Sequence, residues 1–283
     1  MLGFSFAFLA AFFATAKDTC SKKASFSVDP RVSAFASLLL PLPIFIVLLF
    51  ILWITGYEHF TFGLGFWYLV LARGFFDSLA EMTRMFALKH GELSIVAAIL
   101  SLHTLITLII SPIITKDPIN SQIVTGVIIA CVGSLFFVTL TNKINSKGIV
   151  FALLGAIFFS IINCLDRLSA LSATPVFSAF VMTAIACIFT TPFLFNISKE
   201  KIVGDIKLGG KAFLMRAVFE VLFSTSKLTA LIYLSTPVNS AILRSVVILS
   251  TIAGNQFFHE DRFWPRITGS ILIMVGSGIA ILG

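Results

Sequence analysis

Stretches of about 20 mostly apolar residues, the length a helix needs to cross roughly 30 Å of hydrocarbon, recur almost end to end in this chain. Ten such windows stand at about 3–20, 33–56, 64–88, 93–115, 122–141, 148–168, 176–196, 211–234, 237–257 and 266–283. The segments between them are short and leave little chain for a domain in water. Composition agrees, with 58% of residues hydrophobic and 12% charged, far from the balance of a water-soluble domain. Alternation of apolar and polar residues with period two, which a membrane barrel needs, is missing from the windows. The bilayer interior offers the backbone no hydrogen-bond partners, so helices are the remaining way to span it. The expected fold class is an all-α polytopic membrane protein with ten transmembrane helices.

The first window holds an apolar stretch ending at Ala14-Thr15-Ala16, which mimics a signal-peptide cleavage site. No basic residue precedes it, and the window has a counterpart deep in the chain, so it reads as a retained span. Cys20, Cys131, Cys164 and Cys187 are scattered, without the spacing of a metal site or redox pair, and read as apolar packing. No metal and no cofactor are expected. Asn196-Ile197-Ser198 fits a glycosylation triplet that arises readily by chance.

Sliding the sequence by 143 residues aligns 71–140 with 214–283 without a gap, giving sixteen identities in seventy positions. Arg73 falls on Arg216, Asp77 on Glu220, Arg84 on Lys227, and Gly133-Ser134 on Gly276-Ser277. A shift of 145 joins the earlier parts: Gly3, Phe6, Ala7, Leu9, Ala11 and Phe13 match Gly148, Phe151, Ala152, Leu154, Ala156 and Phe158. The chain therefore divides into halves of about 1–142 and 143–283, five helices each. An odd number of crossings per half makes the second copy enter from the opposite side. Inverted repeats with a site near the midplane are a recurring plan of secondary transporters.

Ten short helices in two sets of five, with few loop residues, give the whole chain a resemblance to the EamA-type drug/metabolite transporter superfamily. It is most pronounced between Pro237 and Gly283, in Asn239-Ser240-Ala241, Phe258-His259-Glu260, Ile267-Thr268-Gly269 and Val275-Gly276-Ser277-Gly278. The first half departs from that pattern, with Ser94 where Pro237 stands and Lys116-Asp117 where His259-Glu260 stand. The resemblance implies a transporter of small molecules with both termini in the cytoplasm.

Ionisable side chains in a spanning helix are costly, and each is a functional hypothesis. On the third window Arg73, Asp77, Glu81 and Arg84 fall on one face at helical spacing, and the eighth repeats the stripe with Arg216, Glu220, Ser224 and Lys227. Arg73 with Asp77 and Arg216 with Glu220 stand four apart and form structural ion pairs; alternatively Asp77 and Glu220 line a cavity and bind solute. The halves differ where Glu81 meets Ser224, Arg244 meets Ser101 and His103 meets Val246. An asymmetric solute needs an asymmetric site, so these three lead the substrate-binding set, with Asn163 and Asn239 completing it. Glu81 and Arg244 suit the amine and carboxylate of an amino-acid-like solute, and His103 suits a hydrogen-bonding or proton role. Lys17, Asp18, Asp166 and Arg167 lie toward helix ends and read as side chains reaching the interface. Gly126 and Gly133, recurring as Gly269 and Gly276, read as a close-packed seam. Pro112 and Pro192 read as kinks. The cavity is expected between helices 1, 3, 4, 6, 8 and 9.

Odd-numbered connections carry thirteen Lys and Arg, among them Lys17, Lys22, Lys143, Arg262 and Arg266; even ones carry Lys116 and Arg167. By the positive-inside rule the odd loops are cytoplasmic and both termini outside, opposite to what the resemblance implies. The net charge of +7 suits anionic headgroups rather than nucleic acid. The expected function is alternating-access transport of a small polar metabolite, amino-acid-like first, with export of drugs or organic cations as the alternative. Transport couples to protons or to an exchanged solute, in a monomer or weak homodimer of a bacterial inner membrane. The rival classes are a membrane-embedded enzyme and a structural membrane protein. Signatures of intramembrane proteases, lipid phosphatases and ATP-driven pumps are absent from the sequence.

Overall fold

The computed structural model describes residues 1–57, 62–63, 65–116, 119–139, 146–260 and 263–282. Asp117, Lys143 and Arg262, used above in comparing the halves and the loops, lie outside the described residues, as do the side chains of Ser134 and Ser277. Thirteen α-helices are described: α1 Leu2–Ser25, α2 Pro30–Leu39, α3 Pro41–Ile54, α4 Phe66–His90, α5 Leu93–Leu100, α6 His103–Ile114, α7 Ser121–Thr139, α8 Ser146–Ala170, α9 Pro175–Thr190, α10 Lys199–Tyr233, α11 Thr236–Leu243, α12 Ser245–Phe258 and α13 Phe263–Leu282. No strand is present among the described residues, where Phe62 and Ala173 form an isolated β-bridge.

Five stretches are long and apolar enough to cross a membrane: Pro30–Ile54, Leu93–Ile114, Ser146–Ala170, Pro175–Leu194 and Thr236–Phe258. Three of these join helices end to end, α2 with α3, α5 with α6, and α11 with α12. The long helices α1, α4 and α10 fall outside this set because each carries more than one buried charge, including Lys17, Glu81 and Arg216, which dilutes its apolar character. Large apolar side chains such as Phe50, Trp53 and Ile113 are exposed, at 58%, 57% and 77%, as suits contact with lipid tails.

The breaks within two spans have a common form. Leu102, Thr104 and Leu105 donate backbone bonds to residues three back, and Arg244 and Val247 do the same to Ala241 and Arg244. The i→i+3 bonds tighten the helix locally at each mid-span break, and Ser101 and Arg244 are equivalent under the 143-residue shift. Lys116 and His259, also equivalent, both end their helices in the left-handed region, at φ 55° and 51°. Pro112 lies inside α6, and Pro192 sits in a short 3-10 turn after α9. Lys199–Tyr233 bends at Gly210, whose φ of 38° and ψ of −119° suit glycine. This bend separates the charged stretch 199–209 from the part that carries the stripe of Arg216, Glu220 and Lys227.

Contacts between helices recur when the halves are exchanged. α1 packs on α10 and α4 on α8; α5 packs on α8 and α11 on α1; α6 packs on α8 and α12 on α1. α7 packs on α13 through the glycine seam. A Cβ at Gly133 would lie 2.9 Å from the Ile273 backbone nitrogen and 3.0 Å from the Gly269 carbonyl oxygen. A Cβ at Gly276 would collide with the backbone of Ala130 and the carbonyl of Gly126, so the two helices touch backbone to backbone.

Candidate functional site

A cavity of about 130 Å³ lies between α1, α4, the α5–α6 break, α8, α10 and the α11–α12 break, with Leu38 touching it from α2. At about 30 Å³ per water, that is space for roughly four waters or one small solute. Its walls come from the six helices expected from the repeat and the charged stripes. Glu81, Arg244, His103, Asp77, Glu220 and Asn163 all line it. Asn239 does not: it is buried in α11 with its Oδ1 unpartnered among the described residues, away from the wall.

The stripes of α4 and α10 reach the wall because both helices turn the same face toward the other half. Lys17 Nζ reaches Glu220 Oε2 at 3.0 Å, and Arg216 Nη2 reaches the same oxygen at 3.3 Å. Glu81 is surrounded by donors: Oε1 accepts from Ser37 Oγ and Arg216 Nη2, each at 2.5 Å, and Oε2 from Arg84 Nη2 at 2.6 Å. Arg84 also pairs with Asp18. Arg73 pairs with Asp77 within α4, and its Nε reaches Asp166 Oδ1 at 2.9 Å. Lys227 Nζ completes this second cluster, donating to Asp166 Oδ2 at 2.6 Å and Asn163 Oδ1 at 2.7 Å. Buried charges are tolerable only when paired and hydrogen-bonded, and the two clusters meet that condition.

The clusters are copies of one another. Arg73 on Asp166 becomes Arg216 Nε on Ser21 Oγ at 2.8 Å, and Arg84 on Asp18 becomes Lys227 on Asn163. Lys22 Nζ donates to the carbonyls of Leu88 and Gly91, both at 2.7 Å, where Arg167 serves those of Leu231 and Leu234. A cation on the last carbonyls of a neighbouring helix satisfies groups that have no intrahelical partner.

Interface snorkelling does not describe Lys17, Asp18 and Asp166. Lys17 and Asp166 are 7% and 1% exposed, and all three are held by charged partners on α4 and α10. The sequence carries a signal for this, since Asp18 and Ser21 match the polar Asn163 and Asp166 under the 145-residue shift. Arg167 caps α10 rather than reaching outward. Lys17, Lys22 and Arg266 are likewise buried, so they are not loop charges, and the positive-inside bias rests on fewer residues.

Glu81 lines the cavity, but its carboxylate is occupied by protein donors. Arg244 is the opposite case. It is 1% exposed, its Nη2 lies 3.3 Å from Cys131 Sγ, and its Nε and Nη1 have no partner among the described residues. His103 Nδ1 lies 3.3 Å from Asn163 Nδ2 and 3.3 Å from Thr104 Oγ1.

A family model described as the EamA-like transporter family matches residues 1–139. No curated protein matches the chain. A solved structure, described as "Crystal structure of protein", shares the fold with a TM-score of 0.63 at 15% identity, over 99% of this chain and 96% of that chain. Residues 1–139 are therefore similar to the EamA-like transporter family of the drug/metabolite transporter superfamily, and the apolar spans mark the chain as an integral membrane protein.

Proposed function

We propose that the chain is a secondary transporter that carries a small polar metabolite across a bacterial inner membrane by alternating access of two inverted five-helix halves, 1–142 and 143–283. The observation that carries the reading is the paired charge network at the contact of the halves. The Lys17–Glu220 and Arg216–Glu81 bridges each join one half to the other. A cavity walled by such bridges opens by exchanging partners rather than by exposing bare charge to lipid. Three further observations support inversion: contacts that recur on exchange of the halves, equivalent mid-span breaks at Ser101 and Arg244, and equivalent left-handed helix ends. Rocking of one half against the other about the midplane then exposes the cavity to each side in turn.

Arg244 suits a carboxylate, the group that an amino-acid-like solute shares with other small organic acids. Export of organic cations is the weaker reading, since the carboxylates on the wall are already paired with protein cations. The test is uptake of a labelled solute panel into proteoliposomes holding the purified chain. Counterflow of at least one polar solute, saturable and abolished by unlabelled solute, is the expected result. Uptake indistinguishable from protein-free vesicles across the panel would refute the reading.

A further inference from the structure

Charge on the cavity wall does not balance. The cations are Lys17, Arg73, Arg84, Lys227 and Arg244; the carboxylates are Asp18, Asp77, Glu81 and Glu220. Each carboxylate has at least one cation partner, Lys227 is paired with Asp166 behind the wall, and the cation left over among the described residues is Arg244. Adding Asp166 and Arg216, which bind the network from behind, leaves the same excess of one positive charge. A guanidinium with two nitrogens unpartnered in a buried wall is expensive, and a solute that supplies the missing acceptor removes that cost.

The neighbouring hydrogen bonds define a second donor. Lys227 has no acceptor, so the Asn163 atom facing it at 2.7 Å is the carbonyl oxygen. The amide Nδ2 therefore points to His103 Nδ1 at 3.3 Å and donates to it. A neutral imidazole accepting at Nδ1 carries its hydrogen on Nε2, so His103 also presents a donor. Arg244 leaves the α11–α12 break and His103 opens α6 at the equivalent break, which places both at the two helix breaks that border the cavity.

We infer that the cavity selects a solute with net negative charge, its carboxylate or phosphate oxygens held by Arg244 and His103, and that it has no subsite for an ammonium group. This narrows the transport reading above and rests on it for the cavity being the path of the solute. Planar bidentate recognition of oxyanions is what guanidinium geometry serves best. An amine of the same solute would face five cations and find each wall carboxylate occupied. The substrate class is therefore a small organic acid or phosphate ester rather than a zwitterion or a drug-like cation.

The experiment uses four probes of one size and different charge, namely lactate, lactamide, alanine and alaninamide, together with inorganic phosphate. Thermal unfolding of the full chain in detergent is measured with each, for the native protein and for Arg244→Met. Lactate or phosphate should raise the native Tm by about 2 °C or more, with no rise from the other probes and none in the variant. Without any probe, Arg244→Met should unfold above the native protein, because it removes an uncompensated buried charge. Equal stabilisation by alanine or alaninamide, no response to either oxyanion, or a probe-free variant that unfolds below the native protein would each overturn the inference. Flux assays in proteoliposomes separate the two levels. An oxyanion that stabilises through Arg244 but never crosses removes the transport reading and leaves the site. Flux of alaninamide that survives Arg244→Met removes the anion site and leaves transport.

Discussion

Replacing Glu81 with Gln should destabilise the protein severely, because this carboxylate holds two buried guanidiniums at once. Arg216 and Arg84 approach it at 2.5 Å and 2.6 Å, and the three side chains are 1%, 3% and 6% exposed. At an effective dielectric of about 20, charges about 4 Å apart attract by roughly 4 kcal/mol. Two such attractions are lost, and Arg216 keeps Glu220 at 3.3 Å while Arg84 keeps Asp18. Sparing the carboxylate its own desolvation offsets several kcal/mol, leaving a net loss on the order of 3–5 kcal/mol. Thermal unfolding in detergent should fall on the order of 10 °C. The companion variant Glu81→Gln/Arg216→Gln removes the stranded cation and should recover part of the loss, with a coupling of about 2 kcal/mol in the double-mutant cycle. A fall of less than about 2 °C for the single variant, or strictly additive losses in the cycle, would refute the view that Glu81 bridges the halves.

Gly133→Leu places a side chain where the Ile273 backbone nitrogen lies 2.9 Å from the Cβ position, so yield and Tm should both drop, at a cost of about 3 kcal/mol or more; an unchanged Tm would deny the α7–α13 seam. Asp29→Ala removes the side chain that accepts from the Arg31 backbone nitrogen at 2.9 Å at the start of α2, and should cost about 1 kcal/mol in chemical unfolding. Asp29 also receives the Arg31 side chain; partial burial works against its charge, but these bonds hold the carboxyl below its usual range. Its contribution is therefore full above the ordinary carboxylate pKa and fades as pH falls through the lowered one, so the penalty of Asp29→Ala should shrink in acid. Lys22→Met and Arg167→Met remove equivalent caps and should cost similar amounts, about 1–3 kcal/mol each, by thermal unfolding; a large loss in one and none in the other would break the equivalence.

The helices were legible in the sequence because each span carries its own signal of length and apolarity. The stripes on α4 and α10 were legible because helical spacing brings residues four apart together, as Arg73 with Asp77 and Arg216 with Glu220. Spacing says nothing about partners on other helices. Glu81 therefore stood out as asymmetric, yet its tie to Arg216, 135 residues away, appears only once the halves are packed. The same holds for Lys17 with Glu220 and Arg84 with Asp18, where the positions of Lys17 and Asp18 near a helix end suggest contact with the interface. Arg244 was visible without packing, since comparison with Ser101 alone marks it as unmatched. Asn239 was not separable from it, because one helix turn decides whether a side chain meets the cavity. Breaks inside spans left no Pro or Gly at Ser101 or Arg244 to announce them.

The most direct test of the central claim follows one cavity position from both sides of the membrane. Ser101→Cys, in a chain whose four native cysteines are replaced by Ser, places a thiol on the cavity wall. Membrane-impermeant maleimide is applied from either face of oriented vesicles, with and without a transported solute. Alternating access requires labelling from each face in turn, with solute raising the rate from one face while lowering it from the other. Labelling from a single face under every condition, or rates from both faces that solute leaves unchanged, would contradict transport by this cavity.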